Sequence, residues 1–267
     1  MRLVIKNDYD EVSRWAARHV ANRIEAFAPG PGRLFTLGLP TGASPEGMYR
    51  ELVRLHREEG LSFRHVATFN MDEYVGLSAS DPRSYRAYMR DRLFDRVDVE
   101  AANAHLPDGA AAELDAECAA YEKAIAEAGG IRLFVGGVGA DGHLAFNEPG
   151  SSLASRTRQK TLTADTRMAN ARYFGGDPEA VPPRALTVGI GTILDADEIL
   201  LIVSGHAKAR ALRAMVEEGV NHMWTASCLQ LHPHGIIVCD EAATIEMKVG
   251  TVNYFKDIEQ ARPDRDK

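Results

Sequence analysis

The sequence predicts an α/β fold, a Rossmann-like doubly wound and mostly parallel sheet flanked by helices, and three observations carry that expectation. Short apolar runs alternate with segments of helical period along the chain. Most of those runs are apolar throughout, as strands covered on both faces must be. Several end in glycine-rich or small-residue turns, where open α/β sheets bind their ligands. The 267 residues contain no internal repeat, low-complexity segment or linker, so one domain over 1–267 is expected, long enough to bury a sizeable core.

Taken in order, residues 2–5 predict an edge strand, and Asp8 with Glu11 three positions on reads as a capping pair that opens a helix. Val12, Trp15, Ala16, Val20, Ile24 and Phe27 recur every three or four positions and form its core stripe. Pro29 to Gly32 end that helix, and Leu34 to Leu39 form the next strand. It runs into Pro40-Thr41-Gly42-Ala43-Ser44-Pro45, with Ser44 expected as N-cap and Pro45 as first helical residue. Met48, Leu52 and Leu55 are the buried face beyond. A small-residue turn at a helix N-terminus is either a plain connection or an anion site, because unpaired N–H groups and the helix dipole point at it. It has no Walker lysine.

His65 to Asn70 predict a third strand, which puts Asp72 and Glu73 just past its carboxyl end. Two acids there are either loop solvation or a source of a carboxylate base. Asp81-Pro82-Arg83-Ser84-Tyr85 opens another helix, and Leu114, Cys118, Tyr121 and Ile125 repeat helical spacing up to Gly129-Gly130.

Ile131 to Gly150 is the stretch around which the rest is organised. Leu133, Phe134 and Val135 form an apolar strand core, which Gly136, Gly137, Gly139 and Gly142 then stop. Glycines at that density imply positive φ or close backbone approach. Asp141, His143 and Glu148 follow within a few positions, a histidine with two carboxylates. Gly137-Val-Gly-Ala-Asp-Gly142 also matches GxGxxG, and Asp165 stands where a ribose-binding acid would. A dinucleotide-binding oxidoreductase needs a long helix after the third glycine, and Pro149-Gly150 interrupts that reading.

Residues 151–160 are polar and locally basic, either a solvated face or a second phosphate site built from Ser151, Arg158 and Lys160. Residues 164–183 read as a longer mobile connection, a lid able to close over a site. Ala185 to Ile190 and Ile199 to Ser204 are strand-like. Lys208 falls in the first turn of the next helix, where the dipole disfavours a cation, so an anion facing it is expected. Gly235 to Asp240 and Thr251 to Gln260 supply a last strand and a closing helix. His232-Pro-His234 lacks a third ligand, and no metal is expected.

Composition bounds the function. Hydrophobic residues make up 45% and charged residues 26%, and no apolar run approaches the roughly 18 residues of a membrane span. The first residues turn acidic too early for a signal peptide, so a cytoplasmic protein is expected. A formal charge of −7 speaks against a general nucleic-acid binder while allowing a local basic pocket for a phosphorylated metabolite. Cys118, Cys228 and Cys239 form no CxxC pair and are expected as buried thiols.

Leu37-Gly-Leu-Pro-Thr-Gly42, Thr68-Phe-Asn-Met-Asp-Glu-Tyr-Val-Gly-Leu77, Gly136-Gly-Val-Gly-Ala-Asp-Gly-His143, Phe146-Asn-Glu-Pro149 and Asn221-His-Met-Trp224 together resemble the glucosamine-6-phosphate deaminase family over nearly the whole chain. That family shares its fold with 6-phosphogluconolactonases, the closest alternative, which the Asn-Met-Asp-Glu-Tyr and Phe-Asn-Glu-Pro runs disfavour. A non-catalytic sugar-phosphate sensor is a further alternative, separable by turnover. One departure is Ala43-Ser44, where many members carry Gly-Thr; the hydroxyl is kept.

The resemblance implies a cofactor-independent enzyme, expected to be classed as a hydrolase of a carbon–nitrogen bond, that converts glucosamine 6-phosphate and water to fructose 6-phosphate and ammonia. It implies Asp72 as the base, and Asp141, His143 and Glu148 as the ring-opening group. The substrate phosphate falls to Thr41, Gly42, Ala43, Ser44, Arg172 and Lys208. In allosteric members of the family, positions matching Ser151, Arg158 and Lys160, with Met1 of a neighbouring subunit, bind N-acetylglucosamine 6-phosphate. A homo-hexamer activated by that sugar phosphate is therefore expected, with neither nucleic acid nor membrane as partner.

Overall fold

The computed structural model describes residues 1–262. Its strands are β1 (Arg2–Lys6), β2 (Phe35–Leu39), β3 (Val66–Asn70), β4 (Asp72–Tyr74), β5 (Ala104–His105), β6 (Leu133–Gly137), β7 (Arg158–Thr161), β8 (Arg184–Thr187), β9 (Ile199–Val203) and β10 (Gly235–Asp240). The helices are α1 (Tyr9–Phe27), α2 (Glu46–Glu59), α3 (Tyr85–Arg92), α4 (Leu114–Glu127), α5 (Ala164–Asn170), α6 (Ile190–Leu194), α7 (Ala209–Glu217) and α8 (Val249–Gln260).

The wholly apolar runs pair side by side in one seven-stranded sheet ordered β1-β10-β9-β6-β2-β3-β5, and every pairing in it is parallel. Side chains from alternate positions enter two separate cores, one on each face. Phe69, Phe134, Leu201 and Ile237 face one; Leu37, Leu133, Val135, Leu200 and Val238 face the other, beneath α1 and α2. That two-sided burial is why these strands carry no polar alternation. After β2 the chain runs outward through β3 to β5, then returns to lay β6 on the other side of β2. Strand order therefore reverses between β2 and β6, and the crevice at their carboxyl ends is where such a fold receives ligands.

The α1 stripe packs as its spacing predicts, with Val12, Ala16, Val20 and Ile24 buried and Trp15 and Phe27 partly buried at its margin. Asp8 caps α1 by accepting the Glu11 N–H, while the Glu11 carboxylate reaches back to Asn7. Helix α2 starts one residue later than expected: Pro45 takes the cap position without a side-chain bond, and Ser44 lies outside it. Cys118, Cys228 and Cys239 are free and buried; burial pushes the first two thiols up to about 11 and about 12. His232 is buried in the loop before β10, its Nε2 2.8 Å from the Ala196 carbonyl. Among the described residues no helix is long and apolar enough to cross a membrane.

Three stretches fold in ways that the sequence does not foretell. Residues 184–187 leave the parallel sheet and join β4 and β7 in a separate antiparallel sheet ordered β4-β8-β7, while Ile190 opens α6. The polar run around Arg158 and Lys160, which the sequence leaves open between a solvated face and a second phosphate site, is a strand of this sheet, half-buried over most of its length. Residues 164–183, expected as a longer mobile connection, contain α5 and two 3₁₀ turns at 171–173 and 178–180. Thr163 caps α5 by accepting the Thr166 N–H. What organises this region is a third apolar cluster of Tyr74, Phe146, Leu162, Ala171, Phe174, Val181 and Ala185, which no single segment announces.

The central register leaves little slack. Gly38 of β2 pairs with Phe134 of β6, and a Cβ on Gly38 would lie 2.5 Å from the Phe134 ring. Overpacking a filled interior costs about 1–3 kcal/mol. Gly38→Ala should therefore lower the unfolding free energy by that amount, seen as a lower urea midpoint at unchanged slope; an unchanged midpoint would show that the Phe134 ring can yield.

Candidate active site

The small antiparallel sheet begins one residue beyond β3. Met71 donates its N–H to the Leu39 carbonyl and accepts the Val188 N–H, which ties the end of the parallel sheet to the start of the second one. Asp72 and Glu73 consequently leave solvent altogether, at 5% and 3% exposed. They do different things. Glu73 accepts backbone N–H groups from Tyr74, Tyr85 and Arg86, holding the N-terminus of α3, while Ser84 caps it through the Ala87 N–H. Burial still leaves the Glu73 pKa raised against those bonds. Asp72 lines a cavity of about 200 Å³, and its Oδ1 has no hydrogen-bond partner among the described residues. Burial first, and the Glu73 charge second, push its pKa well above the ordinary carboxyl value.

β6 delivers the second group. After Gly137 the chain makes a tight turn in which Gly139 donates to the His143 carbonyl at 2.9 Å and Gly142 to the Gly139 carbonyl at 3.0 Å. A Cβ on Gly139 would stand 2.5 Å from the His143 ring, and one on Gly142 (φ 77°) 2.4 Å from Trp224. Close approach is thus the main demand, and of the four glycines only Gly142 has positive φ. No helix occurs between residues 139 and 150, which removes the helix N-terminus a dinucleotide pyrophosphate would need. Ala145, another wall residue, is held in the left-handed region at φ 54°, a strained setting common at functional sites.

The turn folds His143 between two carboxylates. Its Nδ1 lies 2.7 Å from Asp141 Oδ1 and 4.0 Å from Glu148 Oε2; the shorter contact is close but not aligned as a hydrogen bond. Burial works to raise the Asp141 pKa, yet the His143 ring and its charge outweigh that and leave it lowered. Glu148 is buried and also accepts the Thr163 N–H at 3.1 Å. Ligand atoms of these three residues gather within 4.8 Å. Both carboxylates address the same nitrogen, so the arrangement can hold a ring proton and stabilise an imidazolium.

The cationic pole comes from β2, β9 and residues 171–173. Thr41, Gly42, Ala43 and Ser44 line the same cavity as Asp72 and His143, and so do Arg172 and Lys208. Lys208 immediately precedes α7 at the end of a 3₁₀ turn. Burial foremost, with Arg172 adding, lowers its pKa, and Asp141 opposes the shift. Two cations beside such a turn can hold an anion. Tyr85, Phe146, Thr166 and Asn170 complete the walls. Sequence reasoning did not single out Tyr85, whose ring stacks on Phe146 at 6.1 Å; its place after the Ser84 cap was the only local signal.

The remaining residues of interest lie elsewhere. Ser151 is buried, its Oγ without a partner among the described residues. Arg158 donates to Asn147 Oδ1 at 2.9 Å, and Lys160 stands two positions along β7. Met1 lines a different cavity, with Arg23, Glu198 and His234, so one chain does not bring it to the other three.

Comparison with known proteins now bears on this site. A family model described as glucosamine-6-phosphate isomerases/6-phosphogluconolactonase matches residues 7–238. A glucosamine-6-phosphate deaminase of Porphyromonas gingivalis is 61% identical over 97% of this chain and 99% of its own. The human glucosamine-6-phosphate deaminase 2 is 58% identical over 96% and 93%. A solved monomeric glucosamine-6-phosphate deaminase superposes with a TM-score of 0.87 at 44% identity, over 91% of this chain and 98% of that one. The 6-phosphogluconolactonase of Trypanosoma cruzi shares the fold alone, at 18% identity and a TM-score of 0.73 over 92% and 97%. The expected classification as a hydrolase is corrected by the family match, which is to isomerases: moving a proton between two carbons defines the chemistry, and loss of nitrogen follows from it. By extent and identity of the match, the chain belongs to the glucosamine-6-phosphate isomerase/6-phosphogluconolactonase family.

Proposed function

We propose that the protein is an isomerising deaminase that takes glucosamine 6-phosphate and water to fructose 6-phosphate and ammonia in amino-sugar catabolism. The observation that carries this reading is a single cavity with a buried, unpaired carboxylate, a carboxylate-flanked imidazole and a cationic pole. The lactonase alternative rests on fold likeness at low identity. The sensor alternative needs no carboxylate held at a cost in free energy.

In the proposed mechanism the phosphate sits on the Thr41–Ser44 N–H groups, Arg172 and Lys208, and this anchors the sugar. His143 moves a proton from the anomeric hydroxyl to the ring oxygen, while Asp141 and Glu148 hold the ring and stabilise its charged form. Asp72 takes the proton from carbon 2 and returns it to carbon 1. Its raised pKa makes it a stronger base than an exposed carboxylate. Return of that proton to carbon 1 turns the enolamine into an iminium at carbon 2, water adds there, and ammonia leaves. Each of these steps is proton transfer or addition, so the proposal invokes no cofactor.

Residues 164–183 are the proposed lid. The Glu148–Thr163 bond joins the relay to the cap of α5, and Arg172 stands further along the same segment. We assign Ser151, Arg158 and Lys160, with Met1 of a neighbouring subunit, to N-acetylglucosamine 6-phosphate in a homo-hexamer; the buried, unpartnered Ser151 hydroxyl supports a ligand there. A cytoplasmic location follows from a freely diffusing sugar-phosphate substrate.

Incubation of the purified protein with glucosamine 6-phosphate should yield fructose 6-phosphate and ammonia together; neither product from folded protein would remove the assignment. Asp72→Asn should lower turnover by at least about 10²-fold, because an amide accepts no carbon-bound proton. The same change should raise thermal stability at neutral pH. The sign follows from the raised pKa: above 3.8 the folded chain holds a proton that the unfolded chain releases, so this group's contribution falls as pH rises toward its folded pKa. A neutral side chain escapes that penalty. Lys208→Ala and Arg172→Ala should each raise KM, by the loss of a charge-assisted contact worth about 1.5–3 kcal/mol; unchanged saturation in both would move the phosphate elsewhere. For regulation, N-acetylglucosamine 6-phosphate should lower the apparent substrate constant; superimposable hyperbolic curves, or a monomer by light scattering, would end the allosteric claim.

A further inference from the structure

The amino end of α2 is held from outside its own segment. Pro45 at the cap position offers no side-chain acceptor. A serine cap ordinarily accepts the N–H of the second or third helical residue, and for Ser44 the third position falls on Gly47. That N–H is already taken. It donates to the phenol oxygen of Tyr9 at 2.8 Å, and the same hydroxyl donates to the Ala43 carbonyl at 2.9 Å, with the Ser44 carbonyl 3.2 Å away.

Tyr9 is the first residue of α1, and the two helices meet there with no room between them. A Cβ on Gly47 would lie 2.1 Å from Ser13 Oγ and 3.1 Å from the Tyr9 ring. Tyr9 and Ser13 are four positions apart, so one face of α1 presents both to the start of α2. The packing that demands glycine at 47 also brings the phenol within reach of its N–H.

Two consequences reach the cavity. With the Gly47 N–H occupied, the Ser44 hydroxyl is not drawn into the helix cap and stays with a residue that lines the site. A peptide group is planar and trans, so its carbonyl and N–H point in opposite directions. Tying the Ala43 carbonyl to Tyr9 therefore turns the Ser44 N–H away from α1.

We infer that Tyr9, about 35 residues upstream in sequence, is a positioning residue for the substrate's phosphate: it caps α2 in place of Ser44 and thereby keeps the Ser44 hydroxyl and N–H available to the anion. The inference rests on the reading of residues 41–44 as the phosphate turn.

A four-way comparison of the parent, Tyr9→Phe, Ser44→Ala and the double variant tests it, with KM, kcat and thermal midpoint measured for glucosamine 6-phosphate. Tyr9→Phe keeps the ring and removes only the hydroxyl. It should raise KM about fivefold, the worth of one neutral hydrogen bond, with kcat within about twofold. Ser44→Ala should raise KM similarly, and the double variant should be worse than Ser44→Ala alone by less than the Tyr9→Phe factor, since the phenol acts in part through that side chain. Multiplying effects, or a Tyr9→Phe protein that melts earlier at unchanged KM, would overturn the inference while leaving the phosphate turn in place. A Ser44→Ala protein with unchanged KM would remove the phosphate-turn reading itself, and the inference with it.

Discussion

Four neighbouring parallel strands turn their carboxyl ends to the same edge of the sheet, and each hands over one part of the cavity. β9 leads to Lys208, β6 to the His143 turn, β2 to residues 41–44 and β3 to Asp72, in the spatial order in which the sheet pairs them. Parallel pairing at about 4.8 Å between strands places such ends within a sugar's length of one another without any loop having to reach far. The reversal of strand order between β2 and β6 keeps a helix from covering the crevice. The chemistry is therefore positioned by backbone hydrogen bonds in the most buried part of the molecule, which suits a reaction that depends on sub-ångström placement.

Within that frame the charges are kept apart. Asp72 sits on the side where β3 passes into β4, with no hydrogen-bond partner for its Oδ1 among the described residues, whereas Lys208 and Arg172 line the cavity with residues 41–44. A direct ion pair between the two sides would lower the Asp72 pKa and weaken it in the proposed role of base. Glu73 is prevented from becoming a rival by three backbone N–H groups, two of them at the start of α3 and one from Tyr74, which occupy its lone pairs. Two adjacent acids thus acquire different tasks from their surroundings alone.

Much of this was legible in the sequence, and what was not follows a pattern. The two-sided burial of β2, β3, β6 and β9 is written in uninterrupted apolar runs, and the glycines of the His143 turn announce close approach even though only Gly142 uses positive φ. The antiparallel sheet left no such mark. β4 is three residues long and β7 is polar, so neither has a period to detect, and both exist because distant segments pair. Ser44 was placed one register off for a related reason: its role as a cap is taken by a tyrosine more than thirty residues away, and local rules cannot see a competitor that far along the chain. Residues 164–183 showed weak periodicity because their helical turns are short and are fixed by an aromatic cluster drawn from β4, α3 and the segment after β6.

The margins of the main sheet carry a consequence of their own. On one side it ends with β5, two residues long; on the other it ends with β1, which begins and finishes with basic side chains and is overlaid by α8. Short, charged and covered edges give another chain little exposed backbone to pair with. The seven-stranded sheet is therefore poorly suited to being extended by the sheet of another copy, the route by which β-rich proteins form fibres.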